Sequence, residues 1–316
     1  MAKQMRAVYY QKFGHVDVIE TGQLDVPELK EGEVLVKIKA AAINPVDAAV
    51  REGHLKSFLP YLFPIIPGWD VAGIVEERGF SARRFNVGNE VYAYARRPMV
   101  HFGTFAEYIV LPESYLALRP KSLSFEEASG IPLVGLTAYQ CLYSAGNLQE
   151  GQTVLILGAS GGVGSIGIQL VKAKGARVIG VASEKNHAYM KKLGADETID
   201  YKGVHIGEAV KKMIPEGVDL IFDCASGETL NQSISVLKPS GKLVSILNRG
   251  EGLDKSINFQ YVFVEPNATQ LAHLCELAEE GKLKVHVSQQ YHLENAVEAF
   301  KQIETHHTTG KIVIVP

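Results

Sequence analysis

Cysteine is scarce in this chain. Its 316 residues hold three, Cys141, Cys224 and Cys275, with no pair at the spacing of a metal clamp or a redox motif. That removes any basis for a disulfide framework, and the three read as reduced, buried thiols of a cytoplasmic protein. Long apolar runs are also missing, so nothing in the sequence reads as a bilayer span. The opening Met1-Ala-Lys-Gln-Met-Arg6 runs straight into strand-like Ala7-Val-Tyr-Tyr10, without the layout of a signal peptide. Charge of one sign is lacking too. Lys and Arg number 32 against 35 Asp and Glu, a formal charge of -3, with no basic stripe or tail. Nucleic acid and membrane are thereby disfavoured as main partners, which leaves a small molecule. There is no internal repeat and no low-complexity linker. With 46% hydrophobic residues, the length suffices for two globular domains.

Glycine is plentiful, at 30 residues, and its densest cluster organises the rest. Thr153-Val-Leu-Ile-Leu157 is a β-branched and apolar run. Gly158-Ala-Ser-Gly-Gly-Val-Gly164 turns the chain, and apolar residues then recur at helical spacing through Ile166, Ile168, Leu170 and Val171. This is a strand, a tight turn and a helix whose N-terminus faces the turn. Unpaired backbone N–H groups and the positive end of the helix dipole make an anion site there. Ala159, Gly161 and Gly164 fill the three small-residue positions of a dinucleotide turn, with Ala in place of the first glycine, and Ser160, Gly162 and Val163 complete it. A nucleoside-triphosphate loop is ruled out, since no lysine follows the glycines.

The end of the next strand, Val178-Ile-Gly-Val181, discriminates between cofactors. A fold preferring NAD places a carboxylate there for the ribose hydroxyls, and this chain has Ala182. Ser183 and Lys185 offer a donor and a positive charge to a 2′-phosphate, with Glu184 between them, so NADPH is the expected cofactor.

Up to about Pro120 the chain alternates strand-like runs with turns. These runs are Glu33–Ile43, which starts with the alternation of a half-buried strand, then Val71–Val75, Glu90–Tyr94 and Thr104–Val110. Asn44-Pro-Val-Asp47 opens a short helix. Residues 125–143 read as two helical pieces joined across Gly130–Gly135. Strands at 153–157, 177–182, 197–199, 218–223 and 242–247 then alternate with helices at 163–174, 185–193, 206–214 and 227–237. That pattern predicts a parallel sheet covered on both faces. Ile257–Val264 is the expected sixth strand, a long apolar edge that invites pairing. A helix at 267–281, a short strand Val285–Val287, a helix at 293–303 and a last strand Lys311–Val315 close the chain. The last strand is expected to return to the first module.

Several motifs in order resemble the medium-chain dehydrogenase/reductase superfamily, in its zinc-independent quinone oxidoreductase branch. They are Ala42-Ile-Asn-Pro-Val-Asp47, Pro67-Gly-Trp-Asp-Val-Ala-Gly-Ile-Val75, Gly135-Leu-Thr-Ala-Tyr139, the 158–164 turn, and Leu193-Gly-Ala-Asp196 with Asp200-Tyr201. The resemblance implies an α/β protein with a GroES-like β-rich catalytic domain over 1–121 and 267–316. It also implies a Rossmann doubly wound parallel-sheet domain over 122–266, with NADPH in the cleft between the two. It places Gly161 to Gly164 at the pyrophosphate and Ser183, Lys185 and Tyr201 at the 2′-phosphate. Asn44 and Thr137 fall near the nicotinamide as positioning residues, and the Leu247-Asn248 backbone on the nicotinamide side. A homodimer through the 257–264 edge is likewise implied.

The zinc-using branch places Cys where Asn44 stands and Gly-His-Glu where this chain has Gly68-Trp69-Asp70. Trp cannot ligate zinc, no cysteine precedes Cys141, and the closely spaced cysteines of a structural zinc lobe are missing, so no metal is expected. His101, His306 and His307 read as surface or loop histidines. Without a Lewis acid, hydride transfer suits an electron-poor acceptor such as a quinone. An enoyl or 2-alkenal reductase and an NADPH-binding regulator are the competing readings. No residue stands out as the acid. Tyr61, Tyr94 and His101 are candidates by position, and Phe58, Leu62 and Trp69 are candidates for an apolar acceptor wall or for core.

Overall fold

The computed structural model describes residues 3–305 and 307–316, so His306 lies outside the described residues. The chain forms two compact units, Met1–Leu133 with Glu265–Pro316, and Val134–Val264.

In the first unit, β1 (Gln4–Tyr9) pairs antiparallel with β2 (Glu20–Asp25). The main sheet is built on β3 (Glu33–Ile43), β4 (Asp70–Arg78), β5 (Glu90–Tyr94), β6 (Tyr108–Pro112) and β7 (Leu116–Leu118). β3 is longer than a typical strand and is buried along nearly its whole length. Only Lys37 and Lys39 reach solvent, because β4, β6 and the returning C-terminus all pair with it. The expected run at 104–110 starts late: 104–107 bonds to Pro67, Gly68 and Ile38 and bridges Ala106 to Ala7 without forming a ladder, and the strand proper begins at Tyr108. Val34, Val36, Val71, Val75, Val91 and Leu111 lie in one buried cluster of this sheet. Each such side chain contributes roughly 1.5–3 kcal/mol by leaving water.

The second unit holds β8 (Thr153–Leu157), β9 (Arg177–Ala182), β10 (Glu197–Asp200), β11 (Val218–Asp223), β12 (Leu237–Ser245) and β13 (Phe259–Tyr261). They form one sheet in the order β10-β9-β8-β11-β12-β13, with every pairing parallel. This is the doubly wound order, and its switch point lies between β8 and β11. Apolar runs without alternation mark the central strands because helices cover both faces.

Several boundaries differ from the sequence expectation, each for a local reason. β12 starts five residues early and ends at Ser245, so Leu247 stands with Asn248 in the loop that follows rather than in the strand. The sixth strand is three residues long instead of eight, because its partner offers only Leu243–Ser245 for pairing. The edge available to another chain is correspondingly short. Residues 185–193 divide into a 3-10 turn, Glu184–Asn186, and a helix, His187–Lys192.

The chain then returns to the first unit with β14 (Val287–His292) and β15 (Lys311–Val315). β15 pairs antiparallel with β3, from Ile312 opposite Ile43 to Ile314 opposite Ala41, as the sequence reading expects. The expected strand at 285–287 is shifted, since pairing with β15 begins only at Val287. The compact units divide at Leu133 and Val264. Helix Phe125–Ser129, closed by a Ser124–Glu127 capping box, therefore belongs to the first unit, where Phe125 packs against Ala40, Ala42 and Val313. Arg51, fully buried, ties helix Pro45–Arg51 to the return by its ion pair to Glu304 at 2.6 Å.

Candidate functional site

Two centres carry the predicted residues, one in each unit. In the second unit, Gly158 leaves β8 with φ +74. The Gly161 N–H donates to its carbonyl at 3.1 Å, which closes the turn. Helix Gly162–Ala173 starts immediately, with Gly161 at its N-cap. Gly164 is required by space: a Cβ there would lie 2.4 Å from the Gly158 oxygen and 2.6 Å from the Ala159 Cα. At Gly161 a Cβ would meet only the Gly158 oxygen, at 3.5 Å, an ordinary contact, so that side of the turn is uncrowded. That cradle, with helical N–H groups pointing into it, fits a diphosphate.

The loop after β9 lies beside this turn. Asn186 Nδ2 donates to Ser160 Oγ at 2.9 Å, joining the glycine turn to the segment that carries Ser183 and Lys185. The register of β9 and β10 sets Asp200 opposite Ala182, so Tyr201 emerges next to Ser183. Lys185 is exposed and Tyr201 half-exposed. The Asp200 carboxylate accepts the Lys202 N–H at 3.0 Å. The structure thus brings Ser160, Ser183, Lys185 and Tyr201 to one edge of the sheet. Asn186 is the residue sequence reading missed, because its bond to Ser160 joins two loops that only the fold brings together. Thr137 lies buried in helix Pro132–Tyr139.

In the first unit the structure shows a centre of different character. Asn44 is 1% exposed and both ends of its amide are engaged. Nδ2 donates to Asp70 Oδ2 at 2.8 Å, and Oδ1 accepts from Lys311 Nζ at 2.5 Å. The Lys311 ammonium also donates to the Ile43 carbonyl at 3.3 Å and lies 3.5 Å from Asp70 Oδ2. Asp70 Oδ1 accepts the Leu133 N–H at 2.6 Å, at the start of the helix that carries Thr137. Asp47, in the first turn of helix Pro45–Arg51, accepts the Asn44 N–H at 2.8 Å. Asn44 is therefore an internal link with no free polar group aimed outward.

Burial dominates the electrostatics. It pushes the Asp47 carboxyl up to about 7, against the Asn44 N–H that favours the charged form, and the neighbouring Asp70 adds to the rise. Burial raises Asp70 and lowers Lys311, and the mutual attraction of that pair opposes both shifts.

The other candidates resolve toward structure. Trp69 is buried edge-on against Tyr94, ring centroids 6.1 Å apart, so it belongs to core and not to an acceptor wall. Tyr94 is 1% exposed and burial pushes its phenol up, which keeps it protonated. His101 Nδ1 lies 2.8 Å from both the Leu62 and the Pro64 carbonyls and serves as a loop tie. Tyr61 packs edge-on against Phe13 and Phe63. Phe58 and Leu62 remain exposed. None of the cysteines is bridged, and burial raises all three thiols.

Comparison with known proteins agrees with this architecture. The alcohol dehydrogenase GroES-like domain family matches residues 30–121, and the zinc-binding dehydrogenase family matches 193–314. A chloroplastic NADPH-dependent alkenal/one oxidoreductase of Arabidopsis thaliana is 36% identical over 99% of this chain and 80% of its own length. The quinone oxidoreductase of Coxiella burnetii superposes with a TM-score of 0.89 at 33% identity, covering 99% of this chain and 100% of that one. The chain belongs to the medium-chain dehydrogenase/reductase superfamily, in its quinone oxidoreductase-like branch. It is an oxidoreductase.

Zinc does not fit the position where the zinc-using branch holds it. Asn44 and Trp69 replace two ligands, and the Lys311 ammonium already occupies the space between the Asn44 and Asp70 oxygens. Among the described residues no group of three His, Cys, Asp or Glu side chains is arranged to hold a metal.

Two outcomes follow from the buried network. Lys311→Met leaves Asp70 unpaired in the interior and should cost about 3–5 kcal/mol in chemical denaturation, with Lys311→Met/Asp70→Asn recovering part of the loss. Asp47, raised from 3.8 to about 7, makes the folded chain hold more protons than the unfolded one between those values. Its contribution is complete below the lower value and is lost as pH rises through the window. Asp47→Asn should flatten the fall of the unfolding midpoint between pH 4 and 7; an unchanged slope would contradict the assignment.

Proposed function

We propose that this oxidoreductase passes hydride from NADPH to a quinone, an electron-poor acceptor that needs no metal to activate it. The carrying observation is the Lys311 ammonium, seated between Asn44 and Asp70, the positions at which the zinc-using branch has Cys and Glu. A protein cation held by two buried oxygens cannot open a coordination position to a substrate oxygen as zinc does. The reaction then has to rely on an acceptor already able to take a hydride and a proton, and a quinone becomes its hydroquinone in that way.

NADPH, when bound, supplies the hydride. The residues of the chain bind and orient it. The first-turn N–H groups of helix Gly162–Ala173, beside the uncrowded Gly161, receive the diphosphate. Ala182 removes the carboxylate that would repel a 2′-phosphate, and Ser183, Lys185 and Tyr201 stand at the same strand ends to receive it. Asn186, bonded to Ser160, holds that segment against the turn. In the first unit the buried network fixes helix Pro45–Arg51 and the start of helix Pro132–Tyr139.

A second reading has its own support: the Arabidopsis relative is an alkenal/one oxidoreductase. An α,β-unsaturated carbonyl takes hydride at carbon and a proton at the neighbouring position, and it too needs less polarisation than an alcohol or ketone. Rates of NADPH consumption with matched quinones, enones and alkenals separate the two. Faster turnover of quinones, by kcat/KM, is the expected outcome, and turnover confined to enones would replace it with the second reading. No turnover with any acceptor, despite NADPH binding, would favour a regulatory protein. Lys185→Ala should weaken NADPH about tenfold or more and leave NADH nearly unchanged. Equal loss for both would remove the 2′-phosphate assignment.

A further inference from the structure

Acidic residues are unevenly spread over the first unit. The chain holds 35 Asp and Glu in 316 residues, yet residues 10–16, 53–69 and 91–106 contain none. The same segments carry Lys12, Lys56, Arg96 and Arg97. A formal charge of -3 for the whole chain therefore conceals a local excess of cations.

The fold brings the three segments together. Tyr10 and Ile65 exchange backbone hydrogen bonds at 3.0 and 2.9 Å, and Phe13 packs edge-on against Tyr61 with ring centroids 4.7 Å apart. The Leu62 N–H donates to the Val100 carbonyl at 3.0 Å, and the Val100 N–H to the Pro60 carbonyl at 2.9 Å. Two loops are thus zipped along their backbones, and they still leave large apolar side chains in water. Phe58 is 62% exposed, Leu62 52%, Met99 48% and Tyr61 43%. On adjoining loops these form a patch, which scattered surface residues do not.

The charges around the patch are one-sided. Arg97 is balanced by Glu33 at 2.5 Å, and Glu52, the acid nearest Lys56 in sequence, is engaged by the buried Arg51 at 2.9 Å. Lys12 and Lys56 are exposed, and among the described residues no ion pair engages either. Between Phe13, Leu55, Leu59, Tyr61 and Val100 lies a recess of about 200 Å³, open at its mouth, with Lys56 in its lining. Hydrocarbon walls beside an ammonium suit a partner that joins an apolar chain to an anionic head. A nucleic acid would leave the apolar side chains unmatched. A lipid surface presents both chemistries side by side and demands no fixed register.

We propose that this face of the first unit is a peripheral docking surface for a lipid membrane bearing anionic headgroups. Phe58, Leu62 and Met99 enter the boundary of the hydrocarbon, and Lys12 and Lys56 meet the headgroup phosphates. Among the described residues no helix is long and apolar enough to cross a bilayer, so the attachment is by this surface alone. The proposal goes beyond the hydride reaction and stands or falls without it.

The test is flotation of the full-length protein with vesicles of phosphatidylcholine alone and of phosphatidylcholine with about 25% phosphatidylglycerol. The protein should partition onto the anionic vesicles at about tenfold lower lipid concentration, and added salt should release it. Leu62→Ser/Met99→Ser should weaken partitioning about tenfold, and Lys56→Glu about fivefold. Phe80→Ser, at a loop tip outside the three segments and 81% exposed in the parent, should leave it within about twofold. A parent that floats with neither vesicle overturns the proposal and leaves the face to a protein partner. Equal partitioning onto both vesicles without salt dependence overturns it too, and needs no variant to fold. Variants at 56, 62 and 99 that match the parent, or an equal loss from Phe80→Ser, overturn the assignment of this face.

Discussion

A lysine ammonium with no access to water must be neutralised where it stands, and the first unit is arranged around that requirement. Lys311 opens β15, a strand whose five residues are all buried, and its charge is met by the Asn44 amide oxygen, the Ile43 carbonyl and the Asp70 carboxylate. A buried pair of this kind adds little net stability over a well-packed apolar pair, but losing one partner is expensive, so the arrangement acts as a register lock. It fixes β15 against the end of β3, places Asp70 at the start of β4, and lets Asp70 receive the Leu133 N–H. Three segments distant in sequence thus depend on one charge. The same charge carries the proposed reading, in which the acceptor is one that needs no Lewis acid.

The second unit follows a separate logic. Its geometry comes from backbone constraints rather than ion pairs. Gly158 supplies a positive φ, and Gly164 lets the helix approach the turn. Side chains then extend the construction outward: the half-buried pair Ser160 and Asn186 on one side of the switch point, the fully buried pair Asp223 and Ser245 on the other. Hydrogen bonds buried at strand ends hold loops more rigidly than surface contacts do.

The sequence made the cofactor unit legible because its signals are local. A strand, a glycine turn and a helix within twenty residues state their own geometry, and the ends of β8, β9 and β11 fall where the apolar runs end. The lysine network was not legible in the same way. Asn44, Asp70 and Lys311 are separated by as many as 267 positions, and their contact depends on a strand returning from the other end of the chain. The available signal was a lysine opening an apolar final strand, which by itself reads as a solvated end. Ile257–Val264 is mostly apolar and reads as an eight-residue strand, whereas only Phe259–Tyr261 pairs with β12, which ends at Ser245. Trp69 was ambiguous between core and acceptor wall until the position of Tyr94 settled it.

The central claim is that the Lys311 cation has displaced a metal from the reaction. The most direct test is turnover of a quinone with NADPH by protein exhaustively stripped of metal, with residual metal content measured on the same sample. The account predicts kcat and KM unchanged by stripping and unaffected by added zinc. Activity that falls with the metal content and returns on adding zinc would contradict it.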